Sequence, residues 1–177
     1  PPYIKRDKDH DARDEFDRGV EEIRRLGFEP TWDESVFARD AYVSGSPATR
    51  AAAFLTAWFD PSVAALIAVR GGYGSVHILP LLRADELRRT PKAFIGYSDN
   101  TSLLTWLTCG CDIVGFHGPM LEKRLASGAE GYHRESFMRP LPNPGPAGEM
   151  APEGLLSLQA GEAAGPIYGG TITQLLA

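Results

Sequence analysis

Residues 93–104 read AFIGYSDNTSLL, and within them a predicted strand ends and a predicted helix begins. The apolar run AFIGY is short enough for a strand buried on both faces. The leucines that follow, Leu103 and Leu104 among them, fall on one side of a predicted helix. Ser98 stands at the corner, where the first N–H groups of a helix lack partners. Its hydroxyl has two open interpretations, a helix N-cap or a nucleophile on a tight strand-to-helix turn.

Two further apolar runs, VAALIAV (63–69) and IVGF (113–116), have the length and composition of buried strands. Strands that alternate with helices at this spacing predict βαβ units, and therefore an α/β domain whose open parallel sheet is covered by helices on both faces. The three runs end in RGGYGS (70–75), GYSDN (96–100) and HGPM (117–120). Because ligands bind outside the carboxyl ends of such strands, these loops are the predicted site.

The helices have recognisable start and stop signals. Apolar residues recur at helical spacing over residues 11–26. Ser46 and Pro47 form an N-cap followed by the residue that is best tolerated at the first helical position, and Asp60 precedes a proline that ends this second helix. We expect the helix after Ser98 to end at Gly110.

The composition changes near residue 141, where a segment rich in proline and glycine begins. We therefore expect an α/β domain over residues 1–140, a linker over 141–160 and the beginning of a truncated C-terminal domain over 161–177. The sequence AGPIYGGTITQLLA (164–177) is typical of a strand, a Gly-Gly turn and the start of a helix. The strand that usually opens such a domain is expected before Pro1.

Composition restricts the partners and the compartment. The net charge of -5 does not favour binding to nucleic acid or to an anionic membrane. The sequence has no apolar stretch of about 20 residues, and its first residues are charged where a signal peptide would be hydrophobic, so we expect a cytoplasmic protein. Cys109 and Cys111 flank one glycine, a spacing too tight for an ordinary disulfide, and we interpret them as inert thiols in a reducing compartment.

The glycine loop RGGYGS (70–75) has three interpretations. Its N–H groups could cradle a phosphate, although neither the Walker nor the dinucleotide-binding pattern is present. It could be a tight turn that needs positive φ angles. Its N–H groups could also complete an oxyanion hole for Ser98, in which case Arg70 is structural or contacts a substrate carboxylate.

His117 is the histidine at the predicted sheet edge, so it is the candidate general base for Ser98. A structural histidine before Gly118-Pro119 is an equally open interpretation. The remaining histidines are expected at the surface: His10, His77 and His133. No cluster has metal-ligand spacing, and neither a metal nor another cofactor is predicted.

Five segments occur in this order along the chain: RGGYGS, a leucine-rich stretch with LPLL, IGYSDNTSLL, HGPM and a late GPIYGG. Together they resemble the LD-carboxypeptidase family of serine peptidases, which includes microcin C immunity peptidases. The resemblance implies a flavodoxin-like or Rossmann-like N-terminal domain followed by a β-rich C-terminal domain. One departure is Gly169-Gly170-Thr171-Ile172, where the family usually has Gly-Gly-Asn-Leu.

The resemblance also implies roles for individual residues. Ser98 would be the nucleophile, and the backbone N–H groups of Asp99, Gly71 and Gly72 would form the oxyanion hole. The catalytic histidine and its orienting glutamate would lie beyond Ala177. Candidate substrate-binding residues complete the predicted site: Arg70, Tyr97 and His117.

By resemblance, the reaction is release of terminal D-alanine from cell-wall tetrapeptides during peptidoglycan recycling, by hydrolysis of its amide to the L-centre of meso-diaminopimelate or lysine. An alternative is the cleavage of a peptidyl or aminoacyl nucleotide, as in microcin C immunity. A hypothesis of another class is a non-enzymatic flavodoxin-like module that binds phosphate. The expected partner is a small muropeptide, with a homodimer left open as the assembly.

Overall fold

A computed structural model describes residues 12–142, 145–146, 148–149 and 153–176 of the chain. Its centre is a parallel sheet in the order β1-β2-β3, and the strands are β1 (Ala65–Ile67), β2 (Ala93–Gly96) and β3 (Phe116–His117). The helices are α1 (Ala12–Arg25), α2 (Pro47–Phe59), α3 (Ala84–Leu87), α4 (Thr101–Cys111), α5 (Arg134–Met138) and α6 (Ile172–Leu175). Shorter 3₁₀ helices cover Glu34–Phe37, Ser75–Leu81, Ser98–Asn100 and Leu125–Glu130.

The central strand sets the register of the sheet. Ile95 pairs with Ile67 of β1 on one side and with Phe116 of β3 on the other. The paired strands are shorter than the apolar runs at 63–69 and 113–116 predicted. The prediction that these two runs are buried strands is also wrong, because β1 and β3 lie at the two edges of the described sheet and their residues are partly or fully exposed. Ile113 is a buried core residue, but it precedes β3.

Helices cover both faces of the sheet, so the predicted α/β class is confirmed. Successive strand residues point to opposite faces, and Phe94 and Ile95 accordingly belong to different hydrophobic clusters. One cluster joins β2 to residues of α2, α3 and α4, including the fully buried Trp58. The other cluster joins the sheet to α1 and α5.

The predicted start of the second helix is confirmed in detail. The Ser46 hydroxyl accepts a hydrogen bond from the Thr49 N–H at 3.1 Å, and Pro47 is the first residue of α2. Asp60 is its C-cap, as predicted. Helix α1 spans Ala12–Arg25, also as predicted from the apolar spacing.

The predicted end of α4 at Gly110 is wrong, because the helix continues to Cys111. The left-handed conformation that ends it belongs to Asp112, with φ 56°. Aspartate tolerates this conformation better than most residues. Arg88 holds the helix end by donating to the carbonyl groups of Cys111 at 3.0 Å and Gly110 at 3.1 Å.

The strand predicted within 164–177 does not form. Among the described residues of this segment no strand is present, and its apolar side chains are exposed to solvent. Ile167 and Tyr168 are both largely exposed. The predicted helix start does form, as α6, and it lies against α4. The Thr171 N–H donates to Thr101 Oγ1 at 3.1 Å, and the Ser102 hydroxyl donates to Gln174 Oε1 at 2.5 Å. The predicted domain boundaries remain predictions.

Candidate active site

The corner after β2 places Ser98 in a strained conformation. Tyr97 is extended, with φ -155°, and Ser98 then turns to φ 61° before the 3₁₀ helix that leads into α4. A left-handed backbone at a residue other than glycine costs about 1–3 kcal/mol, and such strain is concentrated at functional sites. The N-cap interpretation of Ser98 is wrong. Tyr97 and Asn100 occupy the cap positions of the two helices, and neither helix has a capping side-chain hydrogen bond.

The glycine loop lies directly against this serine. A Cβ atom on Gly71 would stand 3.0 Å from Ser98 Cβ and 3.2 Å from Ser98 Oγ. Gly72 and Gly74 have φ angles of 121° and 122°, which residues with side chains rarely adopt. The sequence therefore needs glycine here both for close approach and for backbone conformation.

A cavity of about 230 Å³ opens between the carboxyl ends of the three strands. Each strand contributes to its wall through the loop that follows it. The lining residues are Arg70, Gly71, Gly72, Tyr97, Ser98, Met120, Glu122 and Lys123. The structure thus brings together Ser98, the Gly71-Gly72 turn, Arg70 and Tyr97, as the position of the loops at one sheet edge predicts.

The side chain of Asp99 ties the glycine loop to the start of α4. It is 2% exposed, and its Oδ1 accepts from the Gly74 N–H at 3.2 Å. Its Oδ2 accepts from the Ser75 N–H at 2.9 Å and from the Ser75 hydroxyl at 2.7 Å. This anchoring role of the Asp99 side chain was not predicted from the sequence. The signal was a charged residue at the entry of an apolar helix.

Asn100 holds the loops that follow all three strands. Its Nδ2 atom lies 3.3 Å from the carbonyl oxygens of Arg70 and Tyr97, to which it donates, and also 3.3 Å from Met120 Sδ. The residue is 5% exposed. Asn100 stands where the hydrolase pattern Gly-x-Ser-x-Gly has its second glycine, and the sequence alone did not predict this bridging role.

Arg70 and Glu122 form an ion pair in the cavity wall, with Arg70 Nη1 3.4 Å from Glu122 Oε2. Glu122 is 3% exposed, and its Oε1 atom has no hydrogen-bond partner in the described part of the chain. Burial raises the pKa of Glu122 to about 7, against the opposing effect of Arg70. Glu122 was not predicted from the sequence, although a carboxylate directly after the apolar residues of GPML was a detectable signal.

His117 does not line the cavity. It is exposed, its ring centroid is 6.1 Å from that of Tyr97, and among the described residues no hydrogen bond joins any histidine to Ser98. His77 and His133 are at the surface, as predicted, and His133 caps α5 by accepting from the Ser136 N–H at 3.2 Å. His10 lies outside the described residues.

Other classes of site find no support within the described ranges. No group of three or more His, Cys, Asp or Glu residues there could hold a metal ion. Cys109 is exposed, Cys111 is buried, and neither is in a disulfide. Of the helices described, none has the length and apolar character needed to cross a bilayer.

Sequence comparison relates this chain to an immunity protein and to a protein that carries a carboxypeptidase name. The chain is 34% identical to the microcin C7 self-immunity protein MccF of Escherichia coli over 110 residues, which are 62% of this chain and 32% of MccF. It is 36% identical over 106 residues to a Streptomyces coelicolor protein that carries a carboxypeptidase name, 58% of this chain and 34% of that protein. The chain therefore spans about a third of the length of these relatives.

Structural comparison agrees. MccF in complex with aspartyl sulfamoyl adenosine superposes with a TM-score of 0.68 and 31% identity over 73% of this chain and 39% of MccF. A muramoyltetrapeptide carboxypeptidase from Oxalobacter formigenes has the same fold, with a TM-score of 0.68 and 24% identity over 81% of this chain and 47% of that protein. The family description LD-carboxypeptidase N-terminal domain matches residues 6–118. Together with the fold and the serine corner, this match shows that the chain belongs to the LD-carboxypeptidase family.

Proposed function

We propose that this chain is the nucleophile-bearing part of a serine hydrolase that cleaves an amide bond next to a D-amino acid. The observation that carries the proposal is the left-handed Ser98, which lines the cavity at the carboxyl edge of the sheet. The structure offers this hydroxyl no hydrogen-bond partner among the described residues and no capping role. A strained, unpaired serine in a cavity is the expected placement of a nucleophile.

The reaction would proceed by attack of Ser98 Oγ on the substrate carbonyl, which forms a tetrahedral oxyanion. The backbone N–H groups of Asp99 and of the Gly71-Gly72 turn would donate to this oxyanion, each contributing about 3 kcal/mol in comparable sites. A histidine oriented by a glutamate would take the serine proton and deliver it to the leaving amine. As the resemblance to the family implies, we assign these two groups to residues beyond Ala177.

The substrate we favour is a cell-wall tetrapeptide, from which the enzyme would release terminal D-alanine. Arg70 and Tyr97 line the cavity and would contact it, and His117 would contact parts of the substrate beyond the cavity. Family membership and the carboxypeptidase names of relatives support this choice. A role in recycling muropeptides would place the protein in the cytoplasm, where free thiols such as Cys109 persist.

A peptidyl or aminoacyl nucleotide is the second candidate substrate, and the similarity to MccF supports it. The chemistry at Ser98 would be the same. The phosphate-binding module is less favoured, because the Gly74 and Ser75 N–H groups already donate to Asp99. A carboxylate at that position would also repel a phosphate.

The test is hydrolysis of L-Ala-γ-D-Glu-meso-diaminopimelate-D-Ala by the full-length protein, followed by mass spectrometry. We expect the wild type to release one alanine, and Ser98→Ala to release none while it retains its circular dichroism spectrum. Ser62→Ala is the matched control, because Ser62 is exposed near the opposite edge of the sheet. Unchanged turnover by Ser98→Ala would refute the mechanism. If the wild type leaves this peptide intact but cleaves a peptidyl nucleotide through Ser98, the second substrate is correct.

A further inference from the structure

The carboxylate of Glu122 has hydrogen-bonding capacity that the described chain leaves unused. Its Oε1 atom is buried and has no partner there, although the side chain lines the same cavity as Ser98. The backbone N–H of Glu122 donates to the Val69 carbonyl at 2.9 Å, which fixes the residue beside the loop that follows β1. A buried acceptor without a donor is costly to the protein, so a ligand that supplies a donor gains from this position.

Arg70 has the complementary property. A guanidinium carries five N–H donors, and among the described residues the one polar contact of this side chain is the ion pair with Glu122 at 3.4 Å. Its side chain is 26% exposed and lines the cavity. The pair therefore combines a buried unpaired acceptor with several unpaired donors in the wall of the cavity that Ser98 also lines. Neither a purely cationic nor a purely anionic ligand group would use both.

We propose that Arg70 and Glu122 form a subsite for the zwitterionic α-amino-acid end of a substrate, with its ammonium group on Glu122 and its carboxylate on Arg70. This inference rests on the proposed function and makes its substrate more specific. In a tetrapeptide, the distal centre of diaminopimelate carries both a free ammonium and a free carboxylate. Lysine at the same position carries the ammonium alone, so the subsite favours diaminopimelate stems.

The charges around Glu122 predict how binding depends on pH. Burial raises its pKa to about 7, Arg70 and Lys123 oppose that rise, and Glu15 adds to it. An ammonium ligand needs the ionised carboxylate, so its affinity rises as the pH rises through about 7. A ligand that lacks the ammonium but keeps the carboxylate does not gain affinity in this way, because ionised Glu122 repels it.

The experiment measures binding by calorimetry to full-length Ser98→Ala protein, which removes the proposed nucleophile. Three tetrapeptides differ only at the third residue: meso-diaminopimelate, lysine, and 2-aminopimelate, which keeps the distal carboxylate but lacks the distal ammonium. We expect the diaminopimelate peptide to bind at least about tenfold more tightly than either of the others, since each lacks one charge-assisted contact.

Adding Glu122→Gln tests the residue itself. We expect this variant to weaken the binding of the diaminopimelate and lysine peptides by about tenfold to a hundredfold and not to weaken that of the 2-aminopimelate peptide, whose carboxylate loses a repulsive neighbour. Glu130→Gln is the matched control, because Glu130 is an exposed acid in the wall of the neighbouring cavity. It should change none of the three affinities.

Three results would overturn the inference: equal affinity for the three peptides, equal weakening of all three by Glu122→Gln, or no binding of any of them. The comparison of peptides on the Ser98→Ala protein does not depend on how Glu122→Gln folds. Failure of the proposed function has a separate signature, which is lack of hydrolysis by the wild type. If the wild type hydrolyses the tetrapeptide but the three peptides bind equally, the proposed function stands and the subsite is rejected. If the diaminopimelate peptide binds most tightly but is not hydrolysed, the subsite stands and the proposed function is rejected.

Discussion

Replacement of Asp99 by asparagine should loosen the glycine loop without removing the nucleophile. The carboxylate accepts three hydrogen bonds, one at Oδ1 from the Gly74 N–H and two at Oδ2 from Ser75. An asparagine can place its single oxygen where two of these bonds are made. Its NH₂ group then faces the Gly74 N–H, so one charge-assisted bond is lost and a buried donor is left unpaired.

The magnitude follows from those two losses. A hydrogen bond to a charged group is worth about 1.5–3 kcal/mol, and an unpaired buried donor adds to the cost, so we expect a local destabilisation of about 2–4 kcal/mol. Since 1.4 kcal/mol corresponds to a factor of ten, the Gly74 amide hydrogen should exchange with solvent about 30-fold to 1000-fold faster. The displaced Gly71-Gly72 turn should also lower kcat.

The assay is native-state hydrogen exchange, which reports the loop locally whatever the stability of the rest of the protein. Ser75→Ala removes the hydroxyl bond to this carboxylate but keeps the backbone bond, and it should accelerate exchange by about tenfold to a hundredfold, consistent with a loss of about 1.5–3 kcal/mol. Asp112→Asn is the control, because Asp112 is exposed at the other end of α4 and asparagine tolerates its left-handed backbone. If Asp99→Asn leaves exchange at Gly74 and Ser75 unchanged, Asp99 does not anchor the loop.

Three further changes can be measured on the same protein. Gly71→Ala would place a methyl group 3.0 Å from Ser98 Cβ, so kcat should fall at least about tenfold through misplacement of the hydroxyl, whereas Gly161→Ala, with open space around it, should be neutral. Glu122→Gln should remove a pH dependence of the free energy of unfolding. Because folding raises the pKa of Glu122 from 4.5 to about 7, the wild type is most stable below pH 4.5 and loses this contribution as the pH rises through 7. Urea unfolding at several pH values would detect the difference. Arg88→Ala removes both donors to the carbonyl groups at the end of α4 and should lower the free energy of unfolding by about 1–2 kcal/mol, a change that urea titration resolves.

The sequence predicted the parts of the fold that depend on local patterns. The N-cap at Ser46 and the extent of α1 followed from side-chain chemistry and apolar spacing, and the structure confirms both. The end of α4 did not follow, because Arg88 comes from another segment and supports a helix that passes through Gly110. Contacts between segments that are distant in sequence leave no local pattern to detect.

The same distinction applies to the candidate site. The alternation of strands and loops was enough to bring Ser98, Arg70 and the glycine turn to one edge. The buried roles of Asp99, Asn100 and Glu122 depend on partners 20 or more residues away, so they could be identified only in three dimensions. A polar residue beside an apolar run was the only sequence signal that these positions offered.

The departure of this corner from Gly-x-Ser-x-Gly has a physical explanation. A left-handed Ser98 costs about 1–3 kcal/mol, so its surroundings must hold it in place. Asn100 provides that constraint by bridging the loops after the three strands, which a glycine has no side chain to do. The close packing that a second glycine would allow is supplied instead by Gly96, where a Cβ atom would lie 3.0 Å from Asn100 Cβ. Gly96 and Asn100 lie against each other, and one glycine at these two positions is sufficient for their close approach. The other position can therefore carry Asn100, whose side chain fixes the strained Ser98.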